Sequence, residues 1–185
     1  MKTSIQELRE RYRPAEIKYL LLAESPPLSQ PDQFRFFYYP GKEWWDFFFR
    51  SVMVVVFPEF KTSYKKGDKG KWLDRFKEAG FFMMDAVDTP INTITEKERE
   101  RVILSEIKAR IAAIGNLVSK KTPIFLIKKN IFNIFYPILM EQGFNICHDE
   151  IIPFPSTGQQ ERFKQRFKRL LDGLGYQPIS KGPEL

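Results

Sequence analysis

Tyr19-Leu20-Leu21-Leu22-Ala23-Glu24-Ser25-Pro26-Pro27 is the stretch on which the fold reading turns. Four large apolar residues in a row read as a strand covered on both faces, the pattern of a parallel sheet sandwiched by helices. The strand, read as 17–23, then breaks in one step into a carboxylate, a hydroxyl and two prolines, which cannot continue a ladder. In open α/β sheets ligands bind beyond the carboxyl ends of the strands, where Glu24 and Ser25 fall. The plain alternative is a polar strand end followed by a stiff turn.

Similar breaks recur downstream. Phe81-Phe82-Met83-Met84 runs into Asp85 and then Asp88-Thr89-Pro90, and Asp85 and Asp88 are equal candidates for a functional carboxylate. Pro123 to Ile127 gives a third strand. Phe144-Asn145-Ile146 leading to Ile151-Ile152 gives a less regular fourth, which ends at Phe154-Pro155-Ser156-Thr157. Between the strands, Thr3-x-x-Gln6 and Ser4-x-x-Glu7 are overlapping capping boxes for a first helix stopped by Pro14. Thr95-x-x-Glu98 opens a long helix with Ile103, Ile107, Ile111, Ile114 and Val118 on one face and Glu106–Arg110 as an i,i+4 pair. Residues 43–57 fit a helix by spacing, whereas Val54-Val55-Val56 favours a strand. Residues 61–71 read as a mobile lysine- and glycine-rich loop before a short helix that Gly80 closes. A helix over 131–140 is expected to be interrupted near Pro137. A final helix follows Ser156 or Thr157, buries Phe163, Phe167, Leu170 and Leu171, and carries Arg162, Arg166 and Arg169 on its outer stripe. Strand–helix alternation of this kind makes an α/β fold with a mainly parallel sheet and helices on both faces, in one domain spanning 1–185.

Composition narrows the classes. A hydrophobic fraction of 43%, with 18 Phe, supports a packed core and excludes disorder. No apolar run approaches the roughly 20 residues of a membrane span, so no membrane association is expected. The first residues lack a signal-peptide core and there is one cysteine, which fits a reducing cytoplasm. One histidine and one cysteine leave little room for a metal site, and no phosphate-cradling glycine motif is present, so no metal or other cofactor is expected. The net charge of +7 favours a polyanionic partner, or else a merely solvated basic surface.

The order of these strand ends resembles the uracil-DNA glycosylase superfamily. One class of that family carries Gly-Glu-Ala-Pro-Gly after its first strand, to which Ala23-Glu24-Ser25-Pro26-Pro27 is similar. The resemblance spans about 17–171 and implies a three-layer α/β/α fold with a short, mainly parallel four-stranded sheet. It implies hydrolysis of the N-glycosidic bond of a damaged or mismatched base flipped out of DNA, with DNA ahead of RNA as partner and Glu24 as the catalytic group. Phe36, Phe37 and Tyr38 correspond to aromatics that stack on the extracted base, and Asp85 to an asparagine that reads it. Ser25, Pro26, Ser156, Thr157, Gln159, Gln160, Arg162 and Arg166 are the expected contacts to the DNA backbone.

The departures are informative. Phe154-Pro155-Ser156 stands where the family has His-Pro-Ser, and the iron–sulfur cysteines of the Glu-Ala-Pro class are missing. An ionised aspartate only accepts hydrogen bonds, so Asp85 suits a base with adjacent N–H donors rather than uracil. A protonated Asp85 would still imitate asparagine. Two other readings stay open: a nucleic-acid- or nucleotide-binding module on the same fold without catalysis, and an unrelated α/β enzyme or small-ligand binder using the same crevice. Ser156, Thr157 and Gln160 also read as a simple helix cap, and the arginine stripe as a solvated face.

Overall fold

A computed structural model of the chain describes residues 4–28, 36–41 and 46–178. The order is α1 (Ile5–Arg11), β1 (Tyr19–Ala23), α2 (Phe47–Val56), α3 (Phe60–Ser63), α4 (Lys69–Glu78), β2 (Phe81–Asp85), α5 (Glu96–Leu117), β3 (Ile124–Leu126), α6 (Lys129–Glu141) and α7 (Gln160–Gly173). β1 is the central strand, parallel to β2 on one side and β3 on the other, with Leu21 in register with Met83 and Phe125. Leu20, Leu21 and Leu22 are fully buried, as a strand covered on both faces requires.

Helices meet both faces of this sheet. On one face Phe81 stacks on Phe76 of α4 and Phe125 meets Phe167 of α7 edge-on. On the other, Phe82 and Met84 share a cleft with Ile5 and Arg9 of α1 and Arg110 and Ala113 of α5. The capping boxes of α1 (Ser4 with Glu7) and α5 (Thr95 with Glu98) form as their spacing dictates, each satisfying two terminal N–H groups. Thr3 lies outside the described residues. No helix among the described residues is long and apolar enough to cross a membrane.

Three expectations are corrected, and one reading left open between helix and strand is resolved. The described sheet has three strands rather than four: residues 144–152 pair with the β3 segment as strand only at the isolated bridges Ile124–Ile146 and Ile127–Ile152. The reason is His148, whose Nε2 accepts the Leu126 N–H at 2.9 Å and so fills the place of a strand carbonyl. Segment 47–56 is a helix despite its valines, because Phe48, Phe49, Val52, Met53 and Val56 all find burial on helical spacing. Segment 61–71 is not a mobile loop: it contains most of α3 and the start of α4, where Lys69 is completely buried. α6 runs through Pro137 without ending, held by the fully buried Ile131, Phe135 and Leu139.

Side chains seal both outer edges of the sheet. At β2 the Met83 N–H donates to the Tyr38 hydroxyl at 2.7 Å, and at β3 His148 does the equivalent. Because Nε2 of His148 is an acceptor, Nδ1 carries the proton and donates to the Glu150 carbonyl at 2.7 Å. Burial holds the imidazole below its usual pKa of 6.5, despite that carbonyl and the nearby Asp149. The folded state thus binds fewer protons than the unfolded chain just below pH 6.5, so stability rises with pH there. Asp85, raised to about 6 by burial, acts in the opposite sense between about pH 4 and 6. Acidification from pH 7.5 to 5.5 is therefore expected to lower the melting temperature of the wild type more than that of His148→Gln, which retains an acceptor but does not titrate. Parallel slopes in thermal melts of the two proteins would refute this role for His148.

Candidate functional site

The carboxyl ends of all three strands open into one cavity of about 420 Å³. β1 contributes Ala23 and, directly after it, Glu24 and Ser25; β2 contributes Met83 and Asp85. Lys128, two residues past β3, and residues 154–157 before α7 close the ring. Phe36, Phe37, Phe47, Phe48 and Phe154 form the aromatic wall, with Phe48 and Phe154 ring centres 5.0 Å apart. Phe47 and Phe154 remain 41% and 38% exposed, so the mouth is aromatic rather than sealed. A larger cleft of about 940 Å³ lies at the opposite ends of the strands around Lys18 and Gly80. Its wall is mostly scattered surface lysines and carboxylates, and it is at the wrong pole for strand-end chemistry.

Glu24 is buried and ionically committed. Its Oε2 accepts from Lys128 Nζ at 2.6 Å and its Oε1 from Asn130 Nδ2 at 2.5 Å, while Arg99 Nε stands 3.8 Å from Oε1. The carboxylate thereby joins the end of β1 to the β3–α6 junction and to the first turn of α5. Lys128 holds an unusual backbone, φ 87° and ψ 147°, the sole non-glycine positive φ among the described residues. That region is almost reserved for glycine and costs about 1–3 kcal/mol. Its N–H donates to Ile152 and its carbonyl accepts from Phe132, so the strained turn is fixed from both sides.

The other carboxylates of the cavity each have a cation behind them. Asp85 is 2% exposed and accepts from Arg9 Nη2 at 2.8 Å. Burial pushes its carboxyl up to about 6 against the pull of Arg9, which leaves it ionised near neutral pH. Arg9 also donates to Asp88, and Arg110 bonds both Asp88 and the Ala86 carbonyl. Burial alone would raise the Asp88 carboxyl, but the hydrogen bonds from Arg110 and Arg9 hold it below the usual range. Asp88 thus braces the end of β2 and does not line the cavity. Asp46 caps α2 by accepting the Phe49 N–H and pairs with Lys69 at 2.8 Å; Lys69 also donates to the Phe36 carbonyl. That buried lysine ties together the two aromatic walls.

Of the residues singled out in the sequence, Glu24, Ser25, Pro26, Phe36, Phe37, Asp85, Ser156 and Thr157 converge on this cavity. Tyr38 does not: it is fully buried against β2, its hydroxyl committed to Met83, and it has no face for a ligand. Gln159, Gln160, Arg162 and Arg166 lie outside it. Gln160 accepts the Gly158 N–H, and Arg166 is held by the Ile151 carbonyl and Glu150, whereas Arg162 is exposed. Neither Ser156 nor Thr157 caps α7, whose first turn has no side-chain cap. The expected Glu106–Arg110 pair is present at 3.9 Å but secondary to the Asp88 contact. Cys147 is partly buried, and burial of its thiol pushes it up to about 12, which makes it inert. Lys128, Asn130, Arg99, Asp46, Lys69 and Arg9 were not foreseen. Lys128 and Asn130 follow a strand end, the same signal that marked Glu24; the others carry no local signal.

Removing Arg9 leaves Asp85 as a buried charge without its partner. Arg9→Met is expected to lower the unfolding free energy by about 3 kcal/mol, read from urea denaturation. Adding Asp85→Asn should restore most of that loss, because the buried charge goes with it. A double variant no more stable than Arg9→Met would contradict this pairing.

Compared with protein-family profiles, with curated proteins and with solved structures, the chain matches none.

Proposed function

We propose that the chain is a DNA glycosylase-like protein of three-layer α/β/α, uracil-DNA glycosylase-like architecture. It hydrolyses the N-glycosidic bond of a base extruded from DNA. The observation that carries this reading is the convergence of Glu24, Asp85, Ser25 and Ser156 on one aromatic-walled cavity at the strand ends. Its volume of about 420 Å³ lies within the range of small-ligand sites. Phe36, Phe37 and Phe48 offer flat apolar surface to a base, and extrusion of that base costs a few kcal/mol. Asp85, ionised and acceptor-only, favours a base edge with adjacent N–H donors of the guanine type over uracil. Glu24 sits where a carboxylate can orient water and stabilise positive charge growing on the sugar. Arg99 and Lys128 are the cations lining the cavity and are suited to stabilise the anionic leaving base, since Phe154, which stands where the resembled family has histidine, cannot. Ser25, Ser156 and Thr157 at the rim are suited to phosphate oxygens, and Arg162 extends the basic surface outside.

A binding module without catalysis is the second reading. It is favoured by one observation: both oxygens of Glu24 already hold donors, from Lys128 and Asn130.

A panel of single- and double-stranded oligonucleotides with modified or mismatched bases separates the two. The glycosylase reading expects release of at least one base, slowed about 100-fold or more by Glu24→Gln with the fold and DNA affinity retained. Salt-dependent binding without release from any substrate would instead establish the binding module. In either case Arg162→Ala should reduce the salt slope by about one, and Arg166→Ala by less, since Arg166 is already paired with Glu150.

A further inference from the structure

We infer that Lys128 is an amine nucleophile, and that the cavity carries out imine-forming lyase chemistry on the aldehyde of an abasic deoxyribose. The inference rests on the glycosylase-like reading of the same cavity and adds a second reaction to it. Three observations converge on Lys128. It holds a backbone conformation that glycine would adopt without strain, so a lysine persists there against the local preference. Its side chain lines the cavity and remains 31% exposed, so Nζ is within reach of a ligand. Its Nζ lies 2.6 Å from a carboxylate that is itself only 10% exposed and is placed to exchange a proton with it.

Neutralising Glu24 does not by itself explain this lysine. Asn130 donates to Oε1 of Glu24, and Arg99 stands 3.8 Å from the same oxygen, so that oxygen keeps its partners without Lys128, which serves Oε2. The adjacent carboxylate supplies the base that has to take the ammonium proton before the amine can add to a carbonyl, and the cavity leaves that amine accessible.

The steps balance without a further reactant. Glu24 takes a proton from the Lys128 ammonium, and the freed Nζ adds to C1′ of the ring-opened sugar aldehyde. The carbinolamine hydroxyl leaves as water with the proton returned by Glu24, and an iminium remains. The Glu24 carboxylate then removes a C2′ proton. The C–H electron pair forms the C1′–C2′ double bond of an enamine, whose electrons then make the C2′–C3′ double bond and restore the iminium as the 3′ phosphate departs with its oxygen, taking the proton from Glu24. Water adds to the unsaturated imine, releasing the aldehyde and regenerating the lysine. No electron is gained or lost overall.

The test uses the full chain and an oligonucleotide carrying a preformed aldehydic abasic site, so no base excision is needed. With sodium cyanoborohydride present, the wild type is expected to form a covalent protein–DNA complex that peptide mass spectrometry maps to Lys128. Without reductant it should nick the strand 3′ to the site. Lys128→Arg and Lys128→Gly should lower both signals at least 100-fold; Lys128→Arg keeps a cation for Glu24, Lys128→Gly relieves the backbone strain but removes that cation, and circular dichroism checks that each is folded. The proposal is overturned by the absence of a trapped complex, by a complex mapped to another lysine, or by trapping that persists in folded Lys128 variants. The wild-type map decides the matter even if a variant fails to fold. Base release from the panel without trapping would sink the lyase step alone, and trapping without base release would sink the excision step alone.

Discussion

A buried carboxylate must be met by donors, and Glu24 imposes that requirement at the point where the chain leaves its central strand. Burying an unpaired carboxylate is far costlier than any single packing contact, so partners have to come from elsewhere in the chain. They come from the β3–α6 junction, as Lys128 and Asn130, and from the start of α5, as Arg99. One of these partners, Lys128, sits on a strained turn. The end of β3 has to turn sharply while its N–H still reaches Ile152 and its side chain still points to Glu24.

The same rule organises the rest of the cavity. Asp85 draws Arg9 from α1, and Asp46 draws Lys69 from α4. Each cation approaches from behind, so the carboxylates stay at the cavity surface while their charges are compensated at the back. The consequence is a ligand chamber in which each lining carboxylate has a cationic partner, and whose walls are each fixed to a different helix. Rigidity of this kind is what a site needs to hold a reacting group within a fraction of an ångström.

The narrow sheet presents a second constraint. A three-stranded parallel sheet has two edges with unpaired N–H groups, and burying them unsatisfied is costly. Tyr38 and His148 supply one acceptor each, from loops rather than strands. Tyr38, a base-stacking candidate in the sequence, is thereby spent on the fold, as is His148. Their residue types alone do not distinguish the two uses, since a tyrosine hydroxyl and an imidazole serve edge and ligand equally well.

The sequence by itself determined the local features. The β1 run, the capping boxes at Ser4 and Thr95, the α5 core face, and the polar break after each strand all follow from short-range periodicity and turn chemistry. The pole of the sheet at which the cavity lies was legible for the same reason, because a strand's polarity fixes where its end points. Tertiary structure alone decided the pairing of charges across long separations, such as Arg9 with Asp85 and Lys69 with Asp46. It also decided the helix over the valines of α2, where burial overrode β propensity. The fourth strand gave way to a histidine edge cap, and Tyr38 turned inward, for one shared reason. Hydrogen-bond partners and burial are properties of the whole packed chain, and a residue's neighbours in sequence carry no record of which distant group will need it.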